Sequence, residues 1–264
     1  MRKILPVVIV SLLAPLSAMA ADTVSNSTVV LVAPGVNQTV NVSCPSGLAV
    51  GGGIILSDPS FAVSKSAMNG NGWQVIAKNT GSSSQSVWAT VNCLTGAPAG
   101  AYVTSIQGNW VNVNPNSYAS STATCSTGVL VSGGYTTALS GSSVMRIYND
   151  SRTTTTGNTW QVSAQNTTSA AKSVTSFAYC LQGTNATMAQ KTSIALDVSG
   201  YAGVSCNYPT ELLMGGGYVF PRTTGYTVYA SHSEKNTAWF VAMSPPPASS
   251  DPNARAYAEC LTLH

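Results

Sequence analysis

The stretch Cys125-Ser-Thr-Gly-Val-Leu-Val-Ser-Gly-Gly-Tyr135 is followed by Trp160-Gln-Val-Ser-Ala-Gln-Asn166 and then by Ser173-Val-Thr-Ser-Phe-Ala-Tyr-Cys180-Leu181. The same frame occurs twice more. Cys44 opens a copy with Gly52-Gly53, Trp73-Gln-Val-Ile-Ala-Lys-Asn79 and Val87-Trp-Ala-Thr-Val-Asn-Cys93. Cys206 opens another with Gly216-Gly217, Trp239-Phe-Val-Ala-Met243 and Ala256-Tyr-Ala-Glu-Cys260. From Trp to second Cys the spacing is 20, 20 and 21, whereas from the Gly pair to Trp it is 21, 27 and 23. Fixed ends around a variable middle are what one fold with one variable loop produces. The chain therefore reads as three copies of one unit.

Working outward, residues 1–20 have the form of a signal peptide. Arg2 and Lys3 are followed by an apolar run and by Ala18-Met19-Ala20, a small-residue cleavage site. No later run is apolar enough for an integral membrane segment. Three repeat domains follow, at 21–96, 97–183 and 184–264. Only 7% of residues are charged, against roughly a quarter in ordinary soluble domains. Removing Arg2 and Lys3 lowers the formal charge from +3 to +1, which gives no electrostatic case for nucleic acid. Regular Val, Ile, Leu and aromatic positions argue against disorder.

The six cysteines lie two per copy. In a secreted chain an even count reads as a disulfide framework, and the repeat selects Cys44–Cys93, Cys125–Cys180 and Cys206–Cys260. Zinc would need close Cys or His pairs, which the sequence lacks. Localisation is therefore expected to be periplasmic or extracellular.

The Trp segments alternate: Trp73, Val75 and Ala77 share one face, as do Trp160, Val162 and Ala164. Period-two alternation predicts half-buried antiparallel strands. Counting back by twos from each second Cys gives small or β-branched residues, namely Val91, Ala89 and Val87, then Ala178, Ser176 and Val174, then Ala258, Ala256 and Ala254. This face is expected to lie over the disulfide, with Trp88, Phe177, Tyr179 and Tyr257 pointing elsewhere. Residues 21–28 read as a short polar leader, and each unit is expected to begin with a hairpin, such as Val29–Val32 with Thr39–Ser43 around Ala33-Pro-Gly. No apolar 3.6-residue pattern marks a helix after residue 20. The fold class expected is all-β: a β-prism-like threefold body with a sheet per copy, or alternatively a row of three small β-sandwiches, with one disulfide in each copy.

The Gly pairs are read as seats for a Trp or a neighbouring strand, and the three frame tryptophans as core anchors. Non-repeated aromatics are the ligand-binding candidates. Copy three holds six of the eleven tyrosines, and the set chosen is Trp88, Tyr218, Tyr226, Tyr229 and Tyr257. Catalytic residues are not assigned. Ser231-His232-Ser233-Glu234 is the one triad-like cluster, but adjacent residues of a strand point to opposite faces. No cofactor or metal site is read, and the chain is expected not to be an enzyme.

The pattern C-x-x-G-x-x-x-x-G-G-[GY], then W-x-V-x-A-x-N, then a strand ending in Cys resembles modules of bacterial secreted and cell-surface proteins to which no established activity attaches. The resemblance covers the chain beyond residue 20. Copy three departs from it, with two extra residues before Gly216 and Met243-Ser244 in place of Ala-x-Asn. The function expected is non-catalytic binding or adhesion, with a surface or matrix polysaccharide or cell-surface glycan as partner. The alternatives are self-association as an extracellular structural or matrix subunit and, third, a secreted toxin or enzyme inhibitor.

Overall fold

Alternating side chains, abundant Thr and Val, and Gly-rich turns commit the chain to strands. In a computed structural model describing residues 21–138, 145–193, 197–222, 225–245 and 253–264, every regular element is a β-strand. The first repeat forms β1 (Asp22–Val32), β2 (Asn37–Ser43), β3 (Leu48–Leu56), β4 (Phe61–Met68), β5 (Gly72–Asn79) and β6 (Gln85–Thr95). The second forms β7 (Tyr102–Gln107), β8 (Val111–Val113), β9 (Tyr118–Thr124), β10 (Val129–Thr137), β11 (Met145–Arg152), β12 (Thr159–Asn166) and β13 (Lys172–Gln182). The third forms β14 (Ala186–Thr192), β15 (Tyr201–Ser205), β16 (Leu212–Val219), β17 (Thr227–Glu234), β18 (Ala238–Ser244) and β19 (Arg255–Leu263). The signal-peptide segment 1–20 and Ile194–Leu196 of the expected third hairpin lie outside the described residues.

The threefold all-β body is present, but its sheets are not one per copy. Sheet I has the order β1-β6-β3-β17-β18-β15, sheet II β2-β5-β4-β10-β13-β7 with β8 also on β13, and sheet III β14-β19-β16-β11-β12-β9. Each sheet joins half of one repeat to half of the next, and each repeat packs its two halves as a small two-layer sandwich. Three equivalent ladders make the joins: Ile54↔Ser231, Tyr135↔Ser66 and Tyr218↔Asp150, each with one further pair. The inner strands β3, β4, β10, β11, β16 and β17 therefore close a ring around a pseudo-threefold axis.

Two further expectations are corrected. β1 and β2 do not form a hairpin: β1 pairs with β6 in sheet I and β2 with β5 in sheet II. The other repeats do likewise, with β8 and β9, and β14 and β15, in different sheets. The turn at Ala33-Pro-Gly is thus a corner between layers. Residues 22–28 are not a leader but the first part of β1, laid antiparallel along the Cys93 strand from Asp22↔Thr95 to Thr28↔Ala89. Their polar side chains lie on both faces of β1: Thr23 is buried and Ser25 bonds Asn92 and Ser233, while Asn26 stands exposed.

The frame residues now have physical roles. Each disulfide ties the two layers of its own repeat, from the end of β2, β9 or β15 to β6, β13 or β19. A closed loop of 49 to 55 residues is worth about 4 kcal/mol in the chain-entropy model. The first Gly of each pair is a seat for the indole: a Cβ would lie 2.5 Å from Trp73 at Gly52, 2.2 Å from Trp160 at Gly133 and 2.3 Å from Trp239 at Gly216. The second Gly admits the neighbouring repeat, since a Cβ on Gly53, Gly134 or Gly217 would strike the carbonyl oxygen of Ser231, Ser66 or Asp150. A bulge precedes each pair and turns Val50, Val131 and Met214 fully inward. The Asn that ends the Trp strand is a buried staple. Asn79 donates to the carbonyls of Val32 and Ser83 at 2.9 and 2.8 Å, and Asn166 donates to those of Val113 and Ala170 at 2.8 Å each. In the third repeat Pro245 occupies this position, and β18 stops at Ser244.

The small face counted back from each second Cys is fully buried, as expected. Tyr179 departs from its neighbours: it lies on the opposite face and is also buried, edge-on to Trp73 at 5.5 Å. Its hydroxyl accepts from the Met68 amide at 2.7 Å. The equivalent contact between the second and third repeats is an ion pair, Arg152 to Glu259 at 2.7 Å, and between the third and first it is Ser233 Oγ donating to Asn92 at 2.5 Å. Each repeat thus meets the next at one equivalent point through a different chemistry.

Candidate functional site: an aromatic sheet face and an axial cavity

The five expected binding residues divide among three places. Trp88 and Tyr229 come to the outer face of sheet I. One rank of directly opposed residues crosses that sheet: Val29, Trp88, Ile55, Ala230, Ala242 and Tyr201. At about 4.8 Å per strand the rank is about 24 Å long. Val87 and Ala89 are fully buried beneath it, so Trp88 between them faces out. Val29 is 51% and Tyr201 40% exposed. The two alanines, 3% and 0% exposed, are covered by their neighbours. Tyr229, the extra residue of a bulge in β17, donates its hydroxyl to that of Tyr201 at 3.1 Å, and Tyr201 stacks on Phe240 at 5.5 Å with 27° between the planes. Burial, then the bond to Tyr201, pushes the Tyr229 hydroxyl up to about 12, so it stays protonated. His232 lies against Phe240 at 5.7 Å, its pKa lowered by burial and only partly restored by the Ser233 carbonyl.

Tyr218 and Tyr226 go elsewhere, to a cavity of about 50 Å³ inside the ring of inner strands. Equivalent residues of the three repeats line it, but the repeats differ in polarity. Where the first repeat has Ile54, the others have Tyr135 and Tyr218, and where it has Phe61, the third has Tyr226. Each frame tryptophan donates its indole N–H to one of these equivalent positions: Trp73 to Ser66 at 3.0 Å, Trp239 to Ser231 at 3.1 Å and Trp160 to Asp150 at 2.6 Å. Asp150 is enclosed by protein, yet keeps some accessible surface through the cavity. Burial raises its pKa to about 7 against the opposing pull of the Trp160 bond. The Tyr135 and Tyr218 hydroxyls are pushed well above their ordinary range by burial, Asp150 adding to the effect. Tyr218 stacks on Phe220 at 5.0 Å, and Tyr226 meets Phe220 edge-on at 6.4 Å.

Tyr257 joins neither group. It lies half-buried on the other side of β19 from the buried Ala256 and Ala258, opposite Thr192 and Gly217, and burial raises its pKa. In the Ser231–Glu234 segment, Ser231 accepts from Trp239, Ser233 bonds Asn92, and His232 faces Phe240. The sequence reading passed over Tyr201, Phe240 and Asp150. Asp150 stands 10 residues before its tryptophan, whereas Ser66 and Ser231 stand 7 and 8 before theirs, so only the strand pairing reveals it as the one acid at a position that is otherwise Ser.

No protein-family model matches the chain, and no curated protein matches it. Three formed disulfides fit an oxidising compartment. No helix among the described residues is long and apolar enough to cross a membrane.

Proposed function

We propose that the chain is a secreted bacterial binding or adhesion protein, without catalysis, that takes a surface or matrix polysaccharide on the outer face of sheet I. The observation that supports this reading is the rank from Val29 and Trp88 to Tyr201, with Tyr229 and Phe240 beside it. Flat aromatic faces offer apolar area to the C–H faces of sugar rings, and the tyrosine hydroxyls supply hydrogen bonds at little conformational cost. The length of the rank suits an extended chain rather than a single ring.

The test is a glycan array probed with the oxidised protein, followed by titration of any hit. Trp88→Ala and Tyr201→Ala should each weaken a genuine glycan contact by at least about tenfold, the effect of losing an interface anchor. A blank array, or a hit indifferent to both substitutions, refutes the reading.

A second reading, self-assembly, is favoured by β1. It is an eleven-residue edge strand with Leu31 68% exposed and Val29 51% exposed. A long apolar edge is a template for strand pairing. Concentration-dependent light scattering that Leu31→Lys abolishes would establish it, and a monomer at high concentration would exclude it.

A further inference from the structure

The axial cavity carries a feature that the glycan reading does not use. At the position of Asp150 the other repeats have Ser66 and Ser231, and each serine satisfies its indole N–H. A carboxylate is therefore not needed to hold Trp160. It adds a formal charge to an enclosed site, which is costly unless something compensates it. Among the described residues no cation pairs with Asp150. Arg152, two residues further on, is engaged with Glu259. Arg146 borders the cavity without reaching Asp150, and Lys65 alternates to the far face of β4 from Ser66. The other titratable groups turned toward Asp150 are Tyr135, Tyr218 and, more distantly, Tyr179, all of them acids. Neither the Tyr135 nor the Tyr218 hydroxyl has a hydrogen-bond partner among the described residues.

We infer that the axial cavity binds a compact organic ammonium ion, paired with the Asp150 carboxylate and enclosed by the rings of Tyr135, Tyr218 and Tyr226. Aromatic faces carry negative potential and attract a cation, most strongly where water is excluded. The Tyr135 and Tyr218 hydroxyls accept from any N–H the carboxylate does not. An anion would meet Asp150 head-on, and a neutral ligand would leave its charge uncompensated. The volume, about 50 Å³, is room for a few waters and so selects a small head group. In the empty site a proton can take the cation's place on Asp150, so ligand and proton compete. Affinity therefore rises with pH as the proton leaves.

The experiment is calorimetric titration of the oxidised protein with methylammonium and choline, and with 3,3-dimethylbutanol as the uncharged counterpart of choline. At about pH 8 at least one of the two amines should bind saturably and the alcohol should not. Binding should weaken at least tenfold at about pH 5.5 and at least tenfold in Asp150→Ser, a variant that keeps the acceptor for Trp160 and restores the residue of the other repeats. Should that variant fail to fold, proton release by the unaltered protein decides instead. At about pH 7, binding enthalpies in buffers of different ionisation heat must differ in the sense of a proton given up. No saturable binding by either amine, equal binding by folded Asp150→Ser, equal binding of the alcohol, or no proton release overturns the inference.

Discussion

Asp150 makes the stability of the empty protein depend on pH in a way that can be worked out from its surroundings. Burial raises its pKa from 3.8 to about 7. The folded chain therefore keeps a proton that the unfolded chain releases over that interval, and folding is progressively penalised as pH rises from about 4 to about 7. Roughly three pKa units at 1.36 kcal/mol each give a ceiling of about 4 kcal/mol, reduced by whatever water the cavity admits. Asp150→Ser removes this contribution and leaves every other titrating group in place. His232, which acts in the opposite sense because burial lowers its pKa, cancels between the two proteins. Urea unfolding with the disulfides intact, in buffers free of amines, measures the difference. Relative to the unaltered protein, Asp150→Ser should gain stability between about pH 4 and pH 8, by about 2 kcal/mol or more. A constant offset from loss of packing does not affect this slope. Parallel profiles across the interval would refute the placement of Asp150 in a poorly hydrated site.

Three other outcomes follow from the frame. Gly133→Ala drives a methyl group into Trp160 and should cost about 1–3 kcal/mol or more, while Gly203→Ala, whose nearest neighbour is a carbonyl 3.9 Å away, should change the melting temperature little. Asn166→Ala takes the buried donor from the Val113 carbonyl, while the Ala170 carbonyl keeps the Thr168 hydroxyl, and should cost about 1–3 kcal/mol in chemical denaturation. Arg152→Met alone strands the buried Glu259 and should cost about 3–5 kcal/mol, whereas the double variant with Glu259→Leu should recover most of that loss in a double-mutant cycle.

Much of this architecture was written locally. Two cysteines per copy fixed the pairing, the alternation of Trp73-Gln-Val-Ile-Ala announced a strand, and the Gly pairs signalled a close approach that proved to be the indole on one side and a neighbouring repeat on the other. What could not be read was which strands share a sheet. The joins rest on ladders of two residue pairs between distant segments, such as Ile54 and Ile55 with Ser231 and Ala230, and so short a ladder leaves no periodic trace. A Pro-Gly turn looks the same whether the chain doubles back within a layer or passes to the other, hence the mistaken hairpins. The count of tyrosines in the third repeat drew attention to Tyr218 and Tyr226 together with Tyr229, although the first two face the axis and the last the outside. Side chains of one type carry no label for the face they occupy once a bulge shifts the alternation.

The three contacts between repeats, a tyrosine on a backbone amide, an arginine on a glutamate and a serine on an asparagine, occupy one equivalent position in three dialects. A repeat that brought Met68 to the place of Arg152 would leave the buried Glu259 without its cation. Each repeat thus carries the address of its neighbour, and the ring reads in a single direction. The covalent linkers are then needed to keep the pieces together more than to arrange them. The molecule is organised as a trimer of three non-identical subunits that happen to share one polypeptide.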